Sequence, residues 1–236
     1  MVDDVGAVQR RRWLLACGFA PLLFLAVILV QGAFRPGYDA INRWGSELSN
    51  GDWGWVQIAN FLITGLLTIA FAVGVCQSLN DGPGSQAIPW LTGILGAGLI
   101  VAGVFATDPD PGFPLGSTPP AEPTIHSWIH NLNLFPTWAA LTAAILCTAY
   151  RATLRREGLG WILLTLAAGI LTPATMYVAA RHFDMDTLTG TGHGLWQRIS
   201  QAAAFGWYAV YATRLLRAAP AADTGTTGQQ ANALTR

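Results

Sequence analysis

Six apolar runs decide what this chain can fold into, because each is long enough to cross a hydrocarbon core that needs roughly 20 helical residues. They lie near residues 13–33, 54–79, 88–106, 128–150, 160–180 and 195–217. The interruptions between them reach only about 20 residues, below the roughly 40 at which small domains begin to fold without staples. The expected fold is therefore an all-α membrane protein, a compact bundle of six transmembrane helices spanning 13–217. A short cytoplasmic N-terminus (1–12) precedes it, and an Ala/Thr/Gly/Gln-rich tail (218–236), expected to be disordered, follows. Arg10, Arg11 and Arg12 precede the first run as they would in a signal peptide. At about 20 residues, however, that run exceeds the usual 7 to 15 of a cleavable segment and reads as a retained helix.

Charge gives the orientation. The chain has 13 basic residues, every one of them arginine, and no net charge, so nothing suggests a nucleic-acid partner. Nine arginines (Arg10, Arg11, Arg12, Arg151, Arg155, Arg156, Arg214, Arg217 and Arg236) fall on one side of a six-span arrangement. Arg35, Arg43, Arg181 and Arg198 fall on the other. Positive residues favour the inner face, which places both termini in the cytoplasm, with the lipid bilayer as the first partner. Cys17, Cys76 and Cys147 then lie toward the reducing side, and no disulfide is expected. Trp13, Trp90 and Trp161 against Trp53, Trp55, Trp128 and Trp196 would form two interfacial belts.

Polar chemistry concentrates between Thr107 and Pro136, where Asp108 and Asp110 each precede a proline and His126 and His130 stand four residues apart. On a helix that spacing puts both imidazoles on one face, suited to a metal ion or to hydrogen bonding with Asp108 or Glu122. His126, His130 and His193 are the metal-ligating candidates, and a divalent ion such as zinc is the cofactor they would imply. All four histidines and eight of the 13 acidic residues lie on the outer side. Asp108, His126, Glu47 and Ser46 are the catalytic candidates.

Elsewhere, Tyr38, Ile41, Trp44 and Leu48 recur at helical spacing and predict a short amphipathic helix after the first span, with Arg35–Asp39 and Arg43–Glu47 pairs along it. Gln57, Asn60 and Thr64 share one face of the second span. That face serves equally well as ligand contact or as interhelical glue. Gly93/Ala97 and Gly98/Ala102 predict a close helix approach by the third span. Pro136 and Pro173 interrupt the fourth and fifth. Arg198, a turn into the sixth, needs a partner or a wet cavity. The ligand-binding candidates are Gln57, Asn60, Asp108, His126, His130 and Arg198.

Arg35-Pro36-Gly37-Tyr38-Asp39, Ser46-Glu47-Leu48-Ser49, Gly54 to Phe61, Thr107-Asp108-Pro109 and His126 resemble the bacterial membrane-protein family filed as domain of unknown function 998. The likeness runs from about Trp13 to about Arg217. It implies a compact six-helix membrane domain in the cell (inner) membrane of a bacterium and brings no assigned activity. A fainter similarity is to the membrane hydrolases of the alkaline ceramidase and adiponectin-receptor type, whose Ser, Asp and three His surround zinc. Here Ser46 or Ser49, Asp108, His126, His130 and His193 would stand in for that set, with six helices in place of seven and the histidine pair on the fourth.

Three functional classes stay open. One is a binding or structural protein whose outer His/Asp/Arg cavity holds a lipid headgroup or small polar ligand. The second is a metal-dependent hydrolase of a lipid or amide using the same cluster, and the third is a small transporter. The sequence leaves open whether the protein is an enzyme.

Overall fold

The computed structural model describes residues 2–219, and the expected tail from 220 onward lies outside them. The first helical element is continuous: α1 (Val2–Ala16) passes through a 3-10 turn (Cys17–Phe19) into α2 (Ala20–Phe34). Helix α1 therefore begins well before residue 13, because hydropathy marks where a helix is apolar and not where its hydrogen bonding starts. The other helices are α3 (Gly54–Cys76), α4 (Ala87–Val104), α5 (Ile125–Leu154), α6 (Leu159–Arg181) and α7 (His193–Ala218). Five of the six long helical elements are apolar and long enough to cross a membrane. The sixth, α7, carries Arg198, Arg214 and Arg217, and 13 of its 26 residues are buried, so much of its polar side faces protein.

Each helix packs on its chain neighbours, and α7 closes the ring by packing on α2 and α1, which also hold α3. Helices α3 and α4 approach each other closely through their glycines. A Cβ on Gly65 would stand 2.6 Å from the Gly96 carbonyl oxygen, and one on Gly96 would stand 2.7 Å from that of Gly65. Of the expected small-residue positions, Gly98 is used, against Thr137, whereas Gly93 has room to spare. The small-residue pattern is present, but the crossing point is Gly96, a member of neither pair.

The short connections and the start of α1 gather at one end. There Arg12 donates to the Leu216 carbonyl, Arg151 to those of Asp81 and Pro83, and Arg155 pairs with Asp81 at 2.6 Å. Just inside this end Trp161, Trp207 and Tyr211 form a stack, with the Arg214 guanidinium 4.4 Å from the Trp161 ring centre. Trp161 is thus a core residue and no belt member, unlike Trp13, Trp90, Trp53, Trp55 and Trp128, which are exposed.

The three longer loops (35–53, 105–124 and 182–192) meet at the opposite end and form a cap. The amphipathic helix expected in the first of them is reduced to a 3-10 turn, Gly45–Ser49. Pro36 and Gly37 end α2, Gly37 adopting φ +78°, and Asp39 folds back to accept from the Ile41 amide and the Asn42 side chain. Of the two expected ion pairs, Arg43–Glu47 forms at 2.8 Å. Arg35 instead donates to the carbonyls of Leu48 and Asn50. The last loop carries a two-residue hairpin, β1 (Phe183–Asp184) against β2 (Thr189–Gly190), that the sequence did not announce.

Candidate functional site

Two structures occupy the capped end: a polar lock between the loops, and beneath it a cavity enclosed by the helices. The lock is built around Phe113, which is buried among Tyr38, Arg35 and Arg43, its ring 5.2 Å from that of Tyr38. Arg43 joins the first loop to the second by donating to the Pro111 carbonyl at 2.8 Å while pairing with Glu47. The Glu47 carboxylate also accepts from the Trp44 amide at 2.7 Å. Burial pushes the Glu47 carboxyl above the usual range, against the pull of Arg43. Nearby Asp110 is raised to about 7, first by burial and then by Glu47.

The first loop is also held by α7. Arg198 is buried and donates to the Arg43 and Gly194 carbonyls and to the Tyr38 hydroxyl. Among the described residues it has no carboxylate partner. The partner that a buried guanidinium needs is supplied by neutral oxygens, which keep it hydrogen-bonded without a second buried charge. Gly194 lets α7 dock, since a Cβ there would stand 2.3 Å from the Arg43 carbonyl oxygen. His193 is 1% exposed, its ring 4.7 Å from that of Trp44 and 4.9 Å from that of Phe183, and neither ring nitrogen has a hydrogen-bond partner. Burial, with Arg198 and Arg43 adding to it, lowers its pKa to about 4.

These positions dissolve the expected cluster. The Asp108 carboxylate holds the start of α5, accepting from the Thr124 amide at 2.8 Å and from its hydroxyl at 2.6 Å, while Thr124 itself caps the helix through Ser127. His126 is exposed and packs on Phe105. His130 turns inward, its Nδ1 2.8 Å from the Phe105 carbonyl oxygen and 3.2 Å from that of Ala102 at the end of α4. His193 lies in its aromatic sandwich. The three imidazoles proposed as metal ligands therefore serve three separate local tasks, and among the described residues no group of three or more His, Cys, Asp or Glu could hold a metal ion. Gln57 and Asn60 form glue: Gln57 accepts from Gln31 and Asn60, and Asn60 donates to the Phe24 carbonyl, tying α3 to α2.

The cavity, of about 80 Å³, lies between α2, α3, α4, α5 and α7 under the 3-10 turn of the first loop. Of the sequence candidates only His130 and Ser46 line it. The polar residues that join them were absent from the expected site: Asn133, Thr137, Gln197 and Gln201. Gln197 and Gln201 stand four apart, on one face of α7, a signal readable in the sequence but overshadowed there by Arg198 between them. Gln197 accepts from the Gly45 amide at 2.9 Å, Asn133 donates to the Gly98 carbonyl at 2.8 Å, and the Gln201 Oε1 is buried without a partner. Phe24, Phe61, Leu95, Leu99 and Phe205 supply apolar wall. A larger groove near 420 Å³ at the opposite end, between Arg12, Phe19 and Arg217, contains no imidazole or carboxylate.

Helices of this length and apolar character, packed in a ring, define an integral membrane protein of all-α type. The family model described as Protein of unknown function (DUF998) matches residues 19–214, and the chain belongs to that family. No curated protein and no solved structure matches it.

Proposed function

We propose that the protein is a six-span bacterial inner-membrane protein that binds a small polar ligand or lipid headgroup in the cavity beneath its outer cap. The observation that carries this reading is the Gln201 amide, buried in the wall of that cavity with an unpartnered oxygen beside Ser46, His130 and Asn133. Buried polar atoms without partners are uncommon, and one at a cavity is a place where a ligand gains a hydrogen bond that the protein alone does not make. The polar wall faces apolar residues, which suits a ligand with a polar end and an apolar end. The members differ from the expected His/Asp/Arg set, since Asp108 and Arg198 are engaged in the cap. Neither the hydrolase nor the transporter reading gains a supporting observation.

Filling the cavity tests this. Ala102 lines it on α4, and native mass spectrometry of the purified protein should detect a bound non-protein mass that Ala102→Trp removes. Equal spectra from the two proteins, each folded by thermal unfolding, would reject a binding role for this cavity.

The orientation proposed here puts the cap outside and the arginine-rich end in the cytoplasm, in keeping with the positive-inside bias. In a cysteine-free background, a membrane-impermeant thiol reagent added to intact cells should label Met185→Cys, which is exposed on the hairpin loop, and spare Arg156→Cys. The opposite pattern would invert the topology.

A further inference from the structure

We propose that the groove at the arginine-rich end binds the phosphate of an anionic phospholipid, which lies in the inner leaflet when that end faces the cytoplasm. This site is separate from the cavity beneath the cap and does not depend on it. The groove, of about 420 Å³, is lined by Arg12 and Phe19 on one side and by Thr213, Leu216, Arg217 and Ala219 on the other. Arg12 reaches across it to donate through Nη1 to the Leu216 carbonyl at 3.3 Å. That bond holds the guanidinium in the groove and leaves its other N–H groups without an acceptor among the described residues. Arg217 is exposed, and among the described residues it has no hydrogen-bond or ion-pair partner. Phe19 and Arg217 are both exposed, so the groove opens on the outside of the ring; only a lipid head needs to enter, and the chains stay in the bilayer.

Two guanidiniums on one groove repel each other, and whatever offsets them decides what the groove takes. The acidic side chains described at this end are already engaged: Asp81 pairs with Arg155, and Glu157 with Arg214. The last turn of α7 supplies about half a negative charge, which offsets part of one cation and not both. The Thr213 hydroxyl donates to the Ala209 carbonyl, so recognition falls to the guanidiniums. They only donate, and a phosphate can accept from two nitrogens of one guanidinium at once. Depth favours a lipid over a free ion. Trp13, beside Arg12, and Trp90 are 67% and 72% exposed, as aromatic side chains at a membrane interface are, which sets Arg12 at headgroup level. Phe19 lies seven residues further along the helical element, about 10 Å deeper, and is exposed where an acyl chain would run. A head that carries an ammonium beside its phosphate would bring a third cation to the groove, so the selection is for a head of net negative charge.

The test titrates the full-length protein in a non-ionic detergent with dioctanoyl phosphatidylglycerol or dioctanoyl phosphatidylcholine and counts bound lipid by native mass spectrometry. Phosphatidylglycerol should bind with the higher affinity, and Arg12→Gln and Arg217→Gln should each weaken it about fivefold, the scale of one arginine at a membrane surface. Arg156→Gln, at an exposed arginine of the same end that does not line the groove, should leave it unchanged. Arg217→Gln removes no bond made by the described residues, so it is expected to unfold at the wild-type temperature and keeps the test informative if Arg12→Gln does not fold. Ala102→Trp fills the cavity under the cap and should leave this binding intact, so the two sites fail separately. Equal affinity for the two lipids, or equal losses from Arg156→Gln and Arg217→Gln, would overturn the proposal in favour of diffuse surface charge. Displacement of bound phosphatidylglycerol by an equal concentration of inorganic phosphate would reassign the groove to a soluble anion and overturn the lipid assignment.

Discussion

At the arginine-rich end, ion pairs sit in solvent: the Arg155 and Asp81 side chains are 41% and 78% exposed, and those of Arg214 and Glu157 are 42% and 33% exposed. At the capped end, Arg43 and Glu47 are 17% and 2% exposed, and Arg198 is buried with no carboxylate at all. Exposed pairs are worth a few tenths of a kcal/mol because water competes for both partners. Buried groups cannot fall back on water, so each must be satisfied by protein, and losing one partner strands the others. The same residue type therefore marks topology at one end and holds tertiary structure at the other. Only the held end encloses the cavity, while beneath the other the Trp161–Trp207–Tyr211 stack fills the core.

The contrast can be broken most severely at Arg198. Arg198→Ala removes the buried donor shared by the Tyr38 hydroxyl and the Arg43 and Gly194 carbonyls, although Tyr38 keeps its bond to the Trp44 carbonyl, and should cost about 3 kcal/mol, measured as thermal or denaturant unfolding in detergent. A loss below about 1 kcal/mol would mean that water enters the cap and that the two ends differ less than their burial suggests. Gly194→Ala is next. Its Cβ must displace the backbone near Arg43, at about 2 kcal/mol, and it should loosen the cap selectively, read as faster hydrogen exchange in the first and third loops.

Acidity sharpens the comparison within the cap itself. His193 has a folded pKa of about 4, below its ordinary 6.5, so the unfolded chain binds more protons between these values. Its contribution to stability is complete above pH 6.5 and is lost as pH falls toward 4. His193→Phe should flatten that part of the stability profile; an unchanged acid slope would assign it to other groups. Asp110 has the opposite sign. With a folded pKa of about 7 against an ordinary 3.8, its contribution is complete below 3.8 and is lost as pH rises through 7. Asp110→Asn should remove that loss, leaving the variant the more stable of the two at pH 8.

The smallest effect belongs to the arginine-rich end. Asp81→Ala removes the exposed partner of Arg155 and should change stability by less than about 0.5 kcal/mol. A loss comparable to that of Gly194→Ala would erase the distinction between the two ends.

Much of the scaffold was legible because its signals are local. Helices α3 to α7 begin and end within a few residues of the apolar runs, and the segregation of arginines and histidines matches the two ends of the ring. Legibility failed where a residue's role depends on a distant neighbour. The spacing of His126 and His130 does put both on α5, but α4 ends beside His130 and its carbonyls claim that ring, while His126 is left outside. Asp108 reads as site chemistry until Thr124, 16 residues later, turns back to use it as a cap. Trp161 carries a belt-like position in the sequence and is taken into the core by Trp207 and Tyr211.

By itself, the sequence determined an all-helical membrane chain and the side on which its polar chemistry would gather. Apolar run length and residue type are summed along the chain and need no partner to act. The tertiary structure decided which polar atoms were consumed by the cap and which were left over. A hydrogen bond is exclusive and its partners here come from separate loops and helices, so only the assembled ring fixed that Arg198 and Asp108 are spent while His130 and Gln201 face the cavity.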